Sequence, residues 1–264
     1  MIARYSLLLG GALFAFAVPA AAQTANTPAD AEEQARAEDG ETIIVSGRYT
    51  LPDAIDTATG LGLTVRETPQ SVSIMTAQRI LDQNLLTARD VIINSVGVSA
   101  NQLDDVRNEF FARGFQITNT QLDGVPVPWS LAGDTGRTVA DLSIYERVEI
   151  VRGATGLLSG AGDPSASVNF VRKHADSTDW TGYVSAGYAS WDTWRVSGDV
   201  GGAITSDGRI RVRAVGRYED GESFVDLYKN KKFVLYGVAE ADITESTLLR
   251  AGISHQEGNP RGSS

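Results

Sequence analysis

Few residues in this sequence are equipped for chemistry. It holds 2 histidines and no cysteine, so thiolate nucleophiles, thiolate metal sites and disulfides are excluded from the start. His174 and His255 lie far apart, with no ligand spacing around either. Imidazole catalysis and imidazole metal binding are therefore unsupported, and only carboxylates remain as ligands for a hard cation. A glycine-rich stretch holds Gly156 and Gly160, but no lysine follows to meet the phosphates that a phosphate loop cradles. The formal charge of −10, from 33 acidic against 23 basic residues, is the wrong balance for a nucleic-acid binder. The densest basic run, 229–232, reads as a solvated turn between strands. No enzymatic reaction has residues to carry it, and neither a cofactor nor a resident metal is expected.

The elements that would position a binding surface begin after an export signal. Arg4 gives a short basic start, residues 7–18 are apolar, and Ala20-Ala21-Ala22 precedes Gln23, the order of a secretory signal over 1–22. The apolar run is roughly twelve residues, against about 20 for a membrane-spanning helix. Residues 23–40 are rich in Ala, Glu, Asp, Gln and Thr, too polar to offset their ordering entropy, and read as a tether. At 41–47 a β-prone patch follows, Glu41-Thr42-Ile43-Ile44-Val45-Ser46-Gly47. Its three β-branched aliphatics suit either a first strand of the next domain or a free segment that adds to the sheet edge of another protein.

Residues 60–175 read as an α+β unit. Strands are expected at 71–75, 109–113, 147–151 and 167–171. A helix opens at Thr87 with Asp90 three residues on, a capping-box arrangement. Ala88, Val91, Ile92 and Ser95 share one face of it, and Gly97 is placed to end it. Leu122-Asp123-Gly124-Val125 carries the Asp-Gly signal of a tight hairpin. From 178 to 264 the pattern becomes long alternation: Trp194, Val196, Gly198 and Val200 against Arg195, Ser197 and Asp199, then Ile210, Val212, Ala214, Gly216 and Tyr218 against Arg211, Arg213, Arg217 and Glu219. Such strands, with Trp180, Trp191 and Trp194 near their starts, match a transmembrane β-barrel. Periodicity alone suits a soluble β-sandwich equally well.

Three motifs in order, Arg113-Gly114-Phe115, Leu122-Asp123-Gly124-Val125 and Tyr145-Glu146-Arg147-Val148-Glu149-Ile150-Val151-Arg152-Gly153, resemble the plug domain of TonB-dependent outer-membrane receptors. Gly156-Leu157-Leu158-Ser159-Gly160 and Ser167-Val168-Asn169-Phe170-Val171-Arg172-Lys173 extend the likeness, and Arg66-Glu67-Thr68-Pro69-Gln70-Ser71-Val72-Ser73 is similar to the ferric-siderophore branch. The sequence departs from the family at Ala154-Thr155, at Ser159 and at Ser165-Ala166-Ser167, which weakens any transfer of exact loop contacts. The fold implied is an α+β plug domain followed by antiparallel strands of an incomplete transmembrane β-barrel.

The resemblance implies roles as well. Thr42, Ile43, Ile44, Val45 and Ser46 become a TonB box, offered to the periplasmic sheet of TonB. Asn101, Gln102, Trp129 and Ser130 fall on apical plug loops, where a ferric siderophore arrives with its iron already chelated. Arg113 and Arg152 become a lock against glutamates of the barrel wall. The partners implied are TonB, the ferric siderophore and outer-membrane lipid, with no nucleic acid. The implied function is energy-coupled uptake of a ferric siderophore across the outer membrane. About eighteen residues of tether are too few for a folded signalling domain, so transport without transcriptional signalling is expected. The alternatives are the same architecture importing cobalamin or an oligosaccharide, a soluble periplasmic binding protein with a sandwich tail, or a non-functional fragment. From Trp180 onward about 85 residues give room for about five strands at 9–11 residues each. A plugged transporter barrel has about 22, so the sequence reads as either a fragment of a longer receptor or a broken reading frame, and its strands are not expected to insert on their own.

Overall fold

The structure, a computed structural model, describes residues 55, 57, 63–102, 108–127, 141–153 and 164–262. Residues 42–46, Trp129, Ser130 and the side chain of Gln102 lie outside the described residues, as do the signal and tether segments. The first part of the chain runs β1 (Ser71–Thr76), α1 (Ala77–Asp82), α2 (Ala88–Ile93), β2 (Val98–Gln102), β3 (Asn108–Ala112), β4 (Phe115–Gln116), β5 (Asn119–Leu122), β6 (Val125–Val127), β7 (Tyr145–Arg152) and β8 (Ala166–Arg172). One sheet has the order β1-β7-β8-β5-β6 and a smaller one the order β2-β3-β4. Pairing is antiparallel except between β5 and β8.

Local chemistry accounts for these elements. In α2, Thr87 accepts from the Asp90 amide while Asp90 accepts from the Thr87 amide at 2.9 Å, a capping box that satisfies donors a helix start leaves unpaired. Ala88, Val91 and Ile92 are buried as the spacing requires, and the Ser95 hydroxyl donates to the Val91 carbonyl. The helix does not run to Gly97. It ends at Ile93, where the Asn94 amide already returns to the Asp90 carbonyl, and Gly97 takes its positive φ in the turn beyond. The short helix α1, capped by Thr76, carries too little periodicity to stand out in sequence. Between β5 and β6, Asp123 (φ 49) and Gly124 (φ 78) are both left-handed, as a two-residue hairpin demands.

One face of the β1-β7-β8-β5-β6 sheet holds the hydrophobic cluster, with Met75, Val148, Ile150, Val168 and Phe170 packed under Ile80, Val91 and Ile92. Tyr145 stacks on Phe170 there, ring centres 5.3 Å apart.

The remaining strands are β9 (Thr181–Ala189), β10 (Thr193–Ala203), β11 (Ile210–Glu222), β12 (Lys229–Thr244) and β13 (Thr247–Arg261). They pair antiparallel in sequence order, and the sheet is open, with β9 and β13 at its edges. Residues 229–232 belong to β12 and are not a turn. Lys229 and Lys231 sit across from Glu222 and Asp220 of β11, at 2.5 and 2.7 Å, and these cross-strand charge pairs extend the ladder.

Exposure along this sheet is inverted relative to a soluble protein. Val200 is 46 % exposed and Ile253 75 %, whereas Asp199 is 5 % exposed and Glu240 3 %. The charged face turns inward and the apolar face outward. That arrangement suits a sheet whose solvent is hydrocarbon, and it is what separates a barrel wall from a sandwich. Trp194 stacks on Tyr218 at one end of the outer face, centres 5.0 Å apart, and Trp180 lies against Gly202 at the other. The strand distance from Gly202 to Trp194 is about 27 Å at roughly 3.4 Å per residue, of the order of the ~25 Å apolar band between aromatic girdles. Among the described residues no helix is long and apolar enough to cross a membrane.

Candidate functional site: the plug, its wall and its arginine rim

The inner face of the wall grips the plug through charges that alternation places there. Lys173, one residue past β8, is buried, and its Nζ lies 2.8 Å from Asp199 Oδ2 on β10. Arg213 of β11 reaches the same carboxylate at 2.8 and 2.9 Å and also donates to the His174 carbonyl. Arg211 donates to the Ala175 carbonyl at 2.9 Å, and the Tyr236 hydroxyl to the Lys173 carbonyl at 2.7 Å. His174 faces Glu240 at 3.3 Å, and Arg217 faces the plug's Asp141 at 3.4 Å. Between these charges Val215, Val234, Tyr236 and Val238 join the plug's hydrophobic cluster. His174 thus belongs to a fastening, and among the described residues no His, Asp and Glu side chains gather into a metal site.

Arg113 and Arg152, the two motif arginines, lie together at another edge of the plug, beside Thr68, Pro69, Gln70, Ser71 and Gly153. Arg152 donates to Ser73 Oγ at 2.7 Å and Ser71 Oγ at 2.5 Å. Among the described residues, no ion pair joins either arginine to a carboxylate of β9–β13. Burial, and then the neighbouring Arg113 charge, lower the Arg152 pKa from its ordinary value. Gly153 explains its own place in the motif. Its φ is +120°, and a Cβ there would lie 3.1 Å from Arg113 Nη1, so any side chain would be strained and would push the guanidinium aside.

Asp123, from the hairpin motif, accepts from the Arg172 amide at 2.8 Å and from Arg172 Nε at 2.7 Å. Burial works against the Arg172 charge, but the hydrogen bond and the charge of Asp123 outweigh it and raise its pKa. The Asp-Gly turn is thereby tied to the end of β8.

On the sheet face opposite the hydrophobic cluster, Glu149 is fully buried and paired with Arg147 Nε at 2.6 Å. Thr57 Oγ1 donates to Glu149, and Asn169 Nδ2 reaches Thr57 Oγ1 at 3.2 Å and Glu149 at 3.3 Å. Asn101 lies exposed on β2, opposite Glu109. Trp129, Ser130 and the side chain of Gln102 fall outside the described residues. Sequence reasoning missed Asp199, Lys173 and Glu149 as functional positions. The inward alternation of Arg211, Arg213 and Arg217 was the available signal, but it names no partner.

Residues 64–167 match the family described as the TonB-dependent Receptor Plug Domain. The chain is 43 % identical over 219 residues to the ferripyoverdine receptor of Pseudomonas aeruginosa, covering 83 % of this chain and 27 % of that receptor. It is 28 % identical over 272 residues to the ferrioxamine B receptor of Salmonella typhimurium, covering 99 % and 35 %. It superposes on the solved ferripyoverdine receptor of the Pseudomonas aeruginosa outer membrane, bound to ferripyoverdine, with a TM-score of 0.74 and 42 % identity, covering 80 % of this chain and 28 % of that one. For the alcaligin outer-membrane receptor of Bordetella pertussis the TM-score is 0.70 and the identity 44 %, covering 78 % and 35 %. The chain spans about a quarter to a third of the length of these curated relatives.

Proposed function

Because the chain belongs to the ferric-siderophore branch of the TonB-dependent outer-membrane receptors, we propose that the whole protein imports a ferric siderophore across the outer membrane, driven by TonB. The observation that carries this is a plug domain bonded to the charged inner face of a wall whose outer face is apolar. A plug in a lipid-facing barrel is a gate. The named relatives are receptors for ferripyoverdine and ferrioxamine B, polar chelates that deliver iron already liganded. The relatives are transport receptors, and no reaction is assigned to this protein.

Within that function, Thr42, Ile43, Ile44, Val45 and Ser46 serve as the TonB box. A short β-branched segment beyond a polar tether can add to a sheet edge through main-chain hydrogen bonds, with little side-chain demand. Asn101, Gln102, Trp129 and Ser130 contact the chelate. Arg113 and Arg152, like charges held side by side, lock the plug to glutamates of the barrel wall. The segment 1–22 directs export.

Growth of an uptake-deficient strain on defined iron chelates, rescued by a full-length receptor carrying this sequence, tests the proposal. Rescue by ferric hydroxamate or pyoverdine-type chelates is expected. Rescue of cobalamin or oligosaccharide uptake in their place would overturn it.

A further inference from the structure

The turn between β9 and β10 holds a residue that its backbone disfavours. Short hairpin turns give their left-handed positions to Gly, Asn or Asp. Asp192 (φ 50) suits such a position, but Trp191 (φ 58) does not, since a bulky side chain there is strained. Core packing does not offset the strain, because Trp191 stays 56 % exposed.

What the turn secures is a surface. The Trp191 carbonyl accepts from the Glu222 amide at 2.9 Å, and the Trp191 ring meets Phe224 of the β11–β12 connection, centres 6.1 Å apart. The tips of the two hairpins are thereby joined. Tyr188 donates its hydroxyl to Asp192 Oδ1 at 2.5 Å and leaves its ring 73 % exposed. Tyr188, Trp191, Asp192 and Glu222 line an open hollow between the tips.

The register places this hollow beside the lipid. Tyr188 pairs with Trp194, and Trp194 with Asp220, so Tyr188 stands on the outer face and Glu222 follows Asp220 there. The hollow thus continues the apolar outer face of the wall past its aromatic end, into the layer where lipid headgroups lie. Its charges narrow the choice of occupant. Asp192 and Glu222 are both acidic, and Lys229, the cation that reaches them, is already paired with Glu222 at 2.5 Å. A phosphate would be repelled there. A neutral sugar ring instead offers a face of C–H bonds to aromatic rings and hydroxyls that donate to carboxylates, hydrogen bonds strengthened by the charge.

We propose that the joined tips of β9–β10 and β11–β12 form a binding site for the neutral sugar headgroup of a membrane glycolipid. Trp191 and Tyr188 are its stacking faces, and Asp192 and Glu222 accept from its hydroxyls. The site rests on the lipid-facing reading of the wall and is independent of which chelate the receptor imports.

A full-length receptor carrying this sequence, placed in nanodiscs of phosphatidylcholine with a minor share of either monoglucosyl diacylglycerol or phosphatidylglycerol, tests the site. Native mass spectrometry of the receptor released into mild detergent counts the lipids that stay bound, for protein that keeps the heat-modifiable gel migration of a closed barrel. The glucosyl lipid is expected about fivefold above its share of the bilayer, as a stacking contact of ordinary strength gives, and phosphatidylglycerol near its share. Trp191→Ala should abolish the enrichment, and Trp191→Phe, which keeps a ring, should retain most of it. Trp180→Ala, at the other end of the outer face, should leave it unchanged. No enrichment of the glucosyl lipid, equal enrichment of phosphatidylglycerol, persistence in Trp191→Ala or equal loss in Trp180→Ala would each overturn the site. Failure of chelate-dependent growth would strike the import reading alone and leave the lipid counts standing.

Discussion

The Asp199 carboxylate stands between two cations from different parts of the molecule, Lys173 of the plug and Arg213 of the wall. Lys173 and Asp199 are both nearly inaccessible to water, so deleting the acid would strand a buried ammonium. Asp199→Ala is expected to destabilise the folded unit by about 3–5 kcal/mol, the cost of breaking a buried pair from one side; urea unfolding in detergent measures it. A Lys173→Met/Asp199→Leu pair should recover part of the loss, because the buried ammonium is gone while Arg213, 21 % exposed, keeps Glu146 at 3.6 Å. At the proposed ligand face the relevant side chain is aromatic. Trp129→Ala in a full-length receptor should weaken chelate binding by about 1–3 kcal/mol if the indole is a contact anchor. An unchanged titration would return Trp129 to a packing role.

At the scale of elements, α2 depends on its first turn. It spans only Ala88–Ile93, too short to be stable on propensity alone, and it is held by the Thr87–Asp90 capping box and by the burial of one face. Asp90 also accepts from the Leu86 amide at 3.1 Å, so its carboxylate closes two backbone donors. Asp90→Ala should cost about 0.5–2 kcal/mol, visible as a lowered thermal midpoint with no change in the wall strands. Much of this was legible: the cap, the buried face and the Asp-Gly hairpin are local, and local chemistry is written in adjacent residues. Where α2 ends was not, because the Asn94 side-chain amide caps the Asp90 carbonyl and the Ser95 amide turns back to Ile92 before Gly97 is reached. Residues 229–232 misled for a related reason. A run of lysines looks solvated until Glu222, Asp220 and Glu219 are seen across the ladder.

For the whole molecule, the decisive property is which face of the wall meets the outside. Leu235 of β12, in register with Gly216 and through it with Gly198, lies midway along the outer face between the Gly202 and Trp194 ends of β10. In a full-length receptor carrying this wall, Leu235→Arg should destabilise the protein folded in phospholipid vesicles by about 2–4 kcal/mol, as expected near the bilayer midplane. The same substitution measured in urea without lipid should have little effect. A soluble sandwich would show the reverse, with damage in water and none specific to the bilayer.

The sequence by itself determined that the protein lacks thiol chemistry, has an α+β unit followed by alternating strands, and carries the motifs of a TonB-dependent plug. Those properties reside in composition, periodicity and short-range spacing. Only the tertiary structure decided that the charged face of the strands is the buried one, since alternation has the same period whichever way the sheet turns. It also placed the plug's fastening at Lys173, Asp199 and Arg213 within the described wall, and set Thr57 on Glu149. Those contacts join residues 26, 14 and 92 positions apart, and pairings at such separation are chosen by packing, which no local pattern encodes.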